Sequence, residues 1–473
     1  MLAAIAMAAA VAGCSATGDL SPTILANSQP KLAEMSPTTL REHQRILAAY
    51  GGAYNDPQLE AEVSKTVGRL VAASERPDLK YRVTILNSPA INAFALPSGQ
   101  LYVTRGLIAL ANDNSELASV LSHEMAHVIA SHAAIREDQA RRVALVEGVV
   151  NQVLSDPETG ALALAKSKIA LASFSRTQEF EADGIGVEIS ARAGFDPYGA
   201  ERFLSSMGKQ AELRPASNGN SRPLDFLSSH PSTPDRINNV ITHARQHSAP
   251  GTGERDRNEY LASIDGMVYG EDPSEGFVRG RRYLHPKLGF TFTAPEGFTL
   301  ENTAQAVLGT KEGGNQAMRL DVVRVPAEQS LVDYLKSGWI GTVDDKSVES
   351  LKINGFPAAT ATAKGDDWQF RLYAVRFGSE VYRFIFAARQ RTAENERTFR
   401  ESINSFRRMT LAEIESAKPL RIKMVTVTAT DTPERLAARM AVGDRPLQRF
   451  LVLNGLAPGQ ALKPGDQVKI VVE

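Results

Sequence analysis

The stretch Asp113-Asn114-Ser115-Glu116-Leu117-Ala118-Ser119-Val120-Leu121-Ser122-His123-Glu124-Met125-Ala126-His127-Val128-Ile129 decides the reading of this chain. An α-helix turns by about 100° per residue, so residues four apart share a face. His123 and His127 can then direct both imidazoles at one metal ion, and Glu124, beside the first of them, can reach a water on that ion. The flanks favour a helix. Asp113 is placed to cap its N-terminus, with Glu116 three residues later as in a capping box. Leu117, Val120, Leu121, Val128 and Ile129 give it a surface to bury, and Met125 and Ala126 read as packing residues.

A catalytic zinc site commonly takes three protein ligands and leaves one position open. The third ligand does not follow the metzincin pattern, because Ala130 and Ala133 stand where that pattern has Gly and His. His132, nine residues after His123, is expected on the far side of the helix, as an outer-shell or surface residue. The better candidate lies in Ser-Arg-Thr-Gln-Glu-Phe-Glu-Ala-Asp-Gly, residues 175–184. If this segment is helical, Glu179 and Asp183 share a face and Glu181 points elsewhere. Glu179 is the expected ligand, and Asp183 the expected acceptor for the second N–H of a ligand histidine. The plainer alternative is a solvated acidic helix face, which the histidine pair outweighs.

These motifs, taken together from Gly51 to Ala244, resemble the HtpX/BepA-type (Ste-type) zinc metalloproteases. The resemblance rests on Asn92-Ala93-Phe94-Ala95-Leu96-Pro97, Gly106-Leu107, the His-Glu-Met-Ala-His helix and Ser175-Arg176 with Glu179, Ala182 and Asp183. Gly194-Phe195-Asp196-Pro197, and His230-Pro231 followed by Asp235-Arg236, complete it. It covers somewhat under half of the chain. It implies one Zn2+ per chain and hydrolysis of peptide bonds by a zinc-activated water, with Glu124 taking the proton and passing it to the leaving amine. It also implies a strand at Asn92, Ala93, Phe94 and Ala95 whose open edge pairs with an extended substrate. His230 follows a Pro-, Ser- and Asn-rich loop at 214–229. Three roles stand open for it: donor to the oxyanion, occupant of the open zinc position in a latent enzyme, or a helix-start residue. His43, His243, His247 and His285 have no spacing argument and read as structural or surface residues.

Outward from this region, bulk properties narrow the rest. The 473 residues carry 53 basic and 54 acidic side chains, a net charge of −1, with 43% hydrophobic and 23% charged content. That is ordinary for globular domains and excludes the basic footprint of a nucleic-acid binder. A single cysteine, Cys14, rules out an internal disulfide and a cysteine-rich zinc site. Residues 1–13 are apolar and Ala-rich, too short for a membrane span, and end in Val11-Ala12-Gly13 before Cys14. This resembles a bacterial lipobox. It implies a signal peptide at 1–14, a lipid anchor as the sole membrane attachment, and a periplasmic location, with Ser15 directing the protein to the outer membrane.

The expected architecture is multidomain α+β. A tether at 15–35 leads to an α-rich, zincin-like metallopeptidase domain at 36–248. Helices are expected at 37–50, 57–74, 114–133, 136–155 and 161–193, with strands at 81–86 and 91–103. After a linker at 246–258, an α+β module at 259–410 has strand runs at Gly289–Ala294, Met318–Val325, Phe370–Phe377 and Val381–Ala388, and helices at 328–337 and 393–406. It resembles small PsbP-like domains, from which no function is carried over. Its Trp339 and Trp368 are expected to fill its core. Residues 421–473 read strand, helix, helix, strand and resemble a LysM domain. The likeness runs through Asp431-Thr432, Leu436-Ala437, Asn454-Gly455-Leu456 and Pro464-Gly465-Asp466, with Thr430 replacing the usual glycine. That likeness implies peptidoglycan as a partner beside protein or peptide substrates. The leading function is a zinc endopeptidase of the cell envelope acting on misfolded or misassembled proteins. The alternatives are a wall-anchored binding or chaperone-like lipoprotein with structural zinc, and a peptidoglycan amidase or peptidase.

Overall fold

Ser36 and Asp56 open the first two helices, α1 (Pro37–Ala49) and α2 (Pro57–Ala73). Each side chain accepts a hydrogen bond from a first-turn amide, and a proline follows it at the first helical position. The computed structural model describes residues 35–473, except 137, 139–173, 214–225, 227–229, 231–232, 304–305, 338–341 and 366. The signal peptide with Cys14, the tether, the helix expected at 136–155 and Trp339 lie outside the described residues or almost wholly so.

Strands β1 (Arg82–Leu86), β2 (Ala93–Ala95) and β3 (Gln100–Thr104) form a sheet in the order β1-β3-β2. β1 runs parallel to β3 and β2 antiparallel to it. β2 is therefore an edge. The chain then forms α3 (Arg105–Leu110), α4 (Asn114–Ile129), α5 (Arg176–Arg192), α6 (Gly199–Glu212), α7 (Pro234–His247) and α8 (Arg257–Ser263). α4 is the axis of this region, buried from Asn114 to His127 on every side. A helix with one apolar stripe would leave its polar side in water. Here the polar side, which carries the histidines, is covered by α5.

α5 begins later than the expected 161. Ser175 caps it with a full capping box, its hydroxyl accepting from Gln178 N–H while Gln178 Oε1 accepts from Ser175 N–H. At α4 the box is altered. Asp113 accepts from the Glu116 amide, but the Glu116 carboxylate accepts from the Asn112 amide rather than from that of Asp113.

The second region is built on an eight-stranded antiparallel sheet of β8 (Phe298–Asn302), β9 (Val307–Lys311), β10 (Gln316–Val323), β11 (Thr342–Val343), β12 (Glu349–Ile353), β13 (Phe356–Lys364), β14 (Gln369–Phe377) and β15 (Glu380–Ala388). Alternation along β14 and β15 sorts its faces. Tyr373, Val375, Phe377, Tyr382, Phe384 and Phe386 form one aromatic core. Leu372, Ala374 and Val381 line the other face, under the helix Leu331–Lys336. Phenylalanine and tyrosine thus fill this core. Trp368 does not: it is half-buried, with the Arg389 guanidinium 4.9 Å above its ring.

The C-terminal segment forms strand β17 (Leu420–Thr426), helices Pro433–Ala437 and Pro446–Leu453, and strand β18 (Gln467–Val472). β17 pairs with β18 and with β4 (Val268–Tyr269). Ile422, Leu436, Phe450, Val468 and Ile470 share one core with Leu107, Ile108, Tyr260, Leu261 and Ile264. The residues following the expected linker therefore pack with the helical region, and so does the C-terminus. The 246–258 stretch is itself fastened: Phe195 bridges to Glu254, and Arg69 pairs with Glu254.

Candidate metal centre

α4, α5 and the segment before α7 bring four side chains together. One donor atom from each of His123, His127, Glu179 and His230 lies within 4.8 Å of the others, and all four residues are buried. His127 Nε2 stands 3.1 Å from His123 Nε2, and Glu179 oxygens stand 3.6 Å from each of these nitrogens. Ligands on a tetrahedral zinc, with bonds of about 2.0–2.1 Å, would be about 3.3 Å apart. Two imidazole nitrogens and a carboxylate at these separations fit that ion. The fit holds in the chemistry as well: burial, with the Arg236 charge adding to it, lowers the pKa of both histidines and so favours the neutral form that ligates.

Gly186 of α5 makes this approach possible. A Cβ there would lie 3.0 Å from the His123 backbone nitrogen and 3.1 Å from its Cα. With hydrogen there instead, α5 sits against α4 one turn beyond Asp183. Asp183 Oδ1 lies 3.1 Å from His123 Nδ1, which sets the ring's outer nitrogen beside a carboxylate and turns its inner nitrogen to the cluster. Arg236, on α7, grips Asp183 through Nε (2.9 Å) and Nη2 (2.6 Å) and reaches Glu179 with Nη1 at 2.8 Å. Burial would raise the Asp183 carboxyl, but Arg236 and His123 outweigh it and hold Asp183 below its usual range. Arg236 entered the sequence analysis only as part of a motif. Its position after a capping Thr233, one face along from the histidine cluster, could not be read before α7 was placed against α5.

Glu124 lies on the sheet side of the cluster. Burial first, and then the charge of Glu179, push its carboxyl well above the usual glutamate range, while the Ala95 amide donates a hydrogen bond to it. Its Oε1 has no hydrogen-bond partner among the described residues; His230 Nε2 lies 3.7 Å away. The strand Ala93–Ala95 flanks this carboxylate. Leu96 N–H bonds Gln100 O, and Asn92 O accepts from Thr104 N–H, so even-numbered residues direct their backbone groups to β3. Those of Ala93 and Ala95 face outward. The neighbouring outward carbonyl, Ile91 O, accepts from Phe226 N–H at 2.9 Å.

His230 sits with Nδ1 at 2.8 Å from Glu179 Oε1 and 3.4 Å from His123 Nε2, its ring stacked on Phe226. Burial lowers its pKa to about 3, so it is neutral. Most of the loop at 214–229 before it lies outside the described residues.

His132 departs from expectation. The helix ends at Ile129, and Ser131 takes a left-handed φ of +57°. The chain therefore reverses, and His132 folds back under His127 instead of continuing around the helix. It is fully buried, with Nδ1 2.9 Å from His127 Nδ1.

Residues 57–244 match the model of Peptidase family M48. Over this segment the chain is similar to the M48 peptidases. The M48 match ends within α7 and includes every residue of the cluster just described. A Beta-barrel assembly-enhancing protease of Escherichia coli (strain K12) is 31% identical over 217 residues, covering 44% of this chain and 43% of that protein. The Mitochondrial metalloendopeptidase OMA1 of Schizosaccharomyces pombe is 33% identical over 203 residues, covering 42% of this chain and 57% of that protein. The chain spans about half the length of the curated relatives it matches. A solution structure of cyanobacterial PsbP from Synechocystis sp. PCC 6803 covers 29% of this chain and 98% of its own, at 16% identity and a TM-score of 0.23, from which no role for any part of this chain follows.

Proposed function

We propose that this M48 protein is a zinc-dependent endopeptidase in which His123, His127 and Glu179 hold the ion. The observation that carries the reading is Glu124 Oε1, without a hydrogen-bond partner among the described residues, buried beside the donor cluster and next to the outward edge of β2. When bound, zinc supplies a Lewis acid and an acidified water. Glu124 accepts the proton and later delivers it to the leaving amine, and its raised proton affinity suits that task. The Ala93 backbone groups and the Ala95 carbonyl pair with an extended peptide, while the Ala95 amide holds Glu124 beside its scissile bond. Asp183 and Arg236 keep the His123 ring and the Glu179 carboxylate in place.

In the conformation described, His230 supplies a fourth donor and the Phe226 amide occupies the Ile91 carbonyl at the strand edge. This supports a latent state, in which the His230 segment must withdraw before substrate enters. The alternative role for His230 is donation to the oxyanion once substrate is bound. The names of the bacterial relatives, the lipobox-like Cys14 and the LysM-like tail support a lipid-anchored, periplasmic protease, at the outer membrane and in contact with peptidoglycan. It would act there on misfolded or misassembled envelope proteins. No described helix is long and apolar enough to cross a membrane.

The test is zinc content and casein cleavage of the purified protein beside three variants. Glu124→Gln should keep one zinc and lose cleavage by a factor of at least about 1,000. Glu179→Ala should lose the zinc. His230→Ala should cleave faster than wild type if the histidine latches the site; slower cleavage would assign it to the oxyanion alone. A folded wild type without zinc, or an active Glu124→Gln variant, would falsify the peptidase reading.

A further inference from the structure

We infer that His132, oriented by Glu181, is the positioning residue for the metal-binding imidazole of His127. This rests on the zinc site proposed above and adds a residue to it. His127 turns Nε2 toward His123 and Glu179, where a lone pair is needed to bind an ion. Its proton must then sit on Nδ1, since a neutral imidazole carries one proton. That nitrogen has a neighbour 2.9 Å away, His132 Nδ1. Two imidazole nitrogens at this distance share one hydrogen bond, so His127 donates and His132 Nδ1 accepts. The proton of His132 is thereby placed on Nε2, which points at Glu181 Oε2, 3.3 Å away. Glu181, with a side chain 54% exposed, ends the series at the surface. One choice of proton, forced at the ion, sets both tautomers.

The local fold holds this arrangement in place. The reversal at Ser131 brings His132 beneath its neighbour, where it is 1% exposed. Phe174 stacks on the other side of the His127 ring, 4.0 Å between centroids and 24° between planes. Stacking restricts the tilt of His127, whereas only a hydrogen-bond acceptor restricts its rotation about the ring axis and its tautomer. The two ligand histidines are therefore supported differently. His123 has a buried carboxylate behind it, held by Arg236, while His127 has an imidazole ring behind it and a carboxylate one ring further out. Glu181, which the helical spacing turned away from the cluster, finds its role on this second side.

The experiment measures zinc affinity by chelator competition, with thermal unfolding of the zinc-free form as a control. The proteins are wild type, His132→Leu, His132→Asn and Glu181→Ala. Asn places an oxygen near the position of His132 Nδ1 and can accept from His127; Leu fills the space without an acceptor. Loss of an outer-shell partner weakens metal binding by about 10- to 100-fold, which is the loss expected for His132→Leu. His132→Asn should recover affinity to within about threefold of wild type, and Glu181→Ala should weaken it by at least about threefold. Wild-type affinity in His132→Leu overturns the assignment, and so does equal weakening by Leu and Asn, which would make His132 a packing residue. Should the Leu variant fail to fold, unchanged affinity in Glu181→Ala overturns it. A wild type that takes up no zinc would instead overturn the site on which the assignment rests.

Discussion

Arg236 holds together two acidic residues whose proton affinity burial alone would raise. It is 3% exposed and bridges Asp183 and Glu179, which keeps one behind His123 and the other in front of it. Removing one partner of a buried ion pair leaves uncompensated charge. Arg236→Met should therefore lower the unfolding free energy of the zinc-free protein by about 3 kcal/mol at neutral pH, read by urea denaturation. The sign of its pH dependence follows from Asp183, whose folded pKa is depressed. Its stabilisation is present above the unfolded value of about 3.9 and is lost as pH falls through the lower folded value. The gap between wild type and variant should narrow in that acid range. A gap unchanged between pH 7 and pH 3 would mean that the ion pair is not its source.

Among elements, the contact of α4 with α5 sets the geometry of the centre. Gly186 lies against the His123 backbone, so a methyl group there, 3.0 Å from the His123 nitrogen, must push on that backbone itself. Overpacking of this kind costs about 1–3 kcal/mol. Gly186→Ala should show that loss together with weaker zinc binding, because displacement falls on a ligand-bearing residue. A stable variant with wild-type zinc affinity would show that the helices can part without disturbing the site. The strand edge is the other decisive element. β2 is only three residues long, and its neighbour β3 is fully buried, so the outward groups of Ala93 and the carbonyl of Ala95, whose amide is taken by Glu124, are the part of this sheet turned toward the cleft.

Over the whole molecule, the C-terminal segment is structurally part of the helical region that carries the donor cluster. Lys469 of β18 is fully buried and donates to Ala109 O (2.8 Å), Leu110 O (3.3 Å) and Ala111 O (2.7 Å), the carbonyls that end α3. A donor there satisfies groups that a helix cannot satisfy itself. The same turn leads through Asn112 into the cap of α4. Lys469→Met should cost about 2–3 kcal/mol by denaturant unfolding. Deleting residues 420–473 should give protein that does not unfold cooperatively, since Leu107, Ile108 and Tyr260 lose their cover. A truncated chain with an unchanged melting temperature would refute this.

By itself the sequence determined what depends on short-range spacing. The pairing of His123 with His127, the adjacency of Glu124 and the shared face of Glu179 and Asp183 all follow from helical periodicity, which is local and insensitive to context. The strand alternation that sorts aromatic from small residues in β14 and β15 is legible for the same reason. Tertiary structure decided what depends on how elements meet. It fixed the start of α5 at Ser175, the return of His132 beneath His127 after a left-handed Ser131, and the grip of Arg236 on two acids from another helix. It also placed Lys469 on carbonyls more than 350 positions earlier in the chain. Such contacts join residues that are far apart in sequence, and their energy comes from burial and exclusion of water, which no local pattern records.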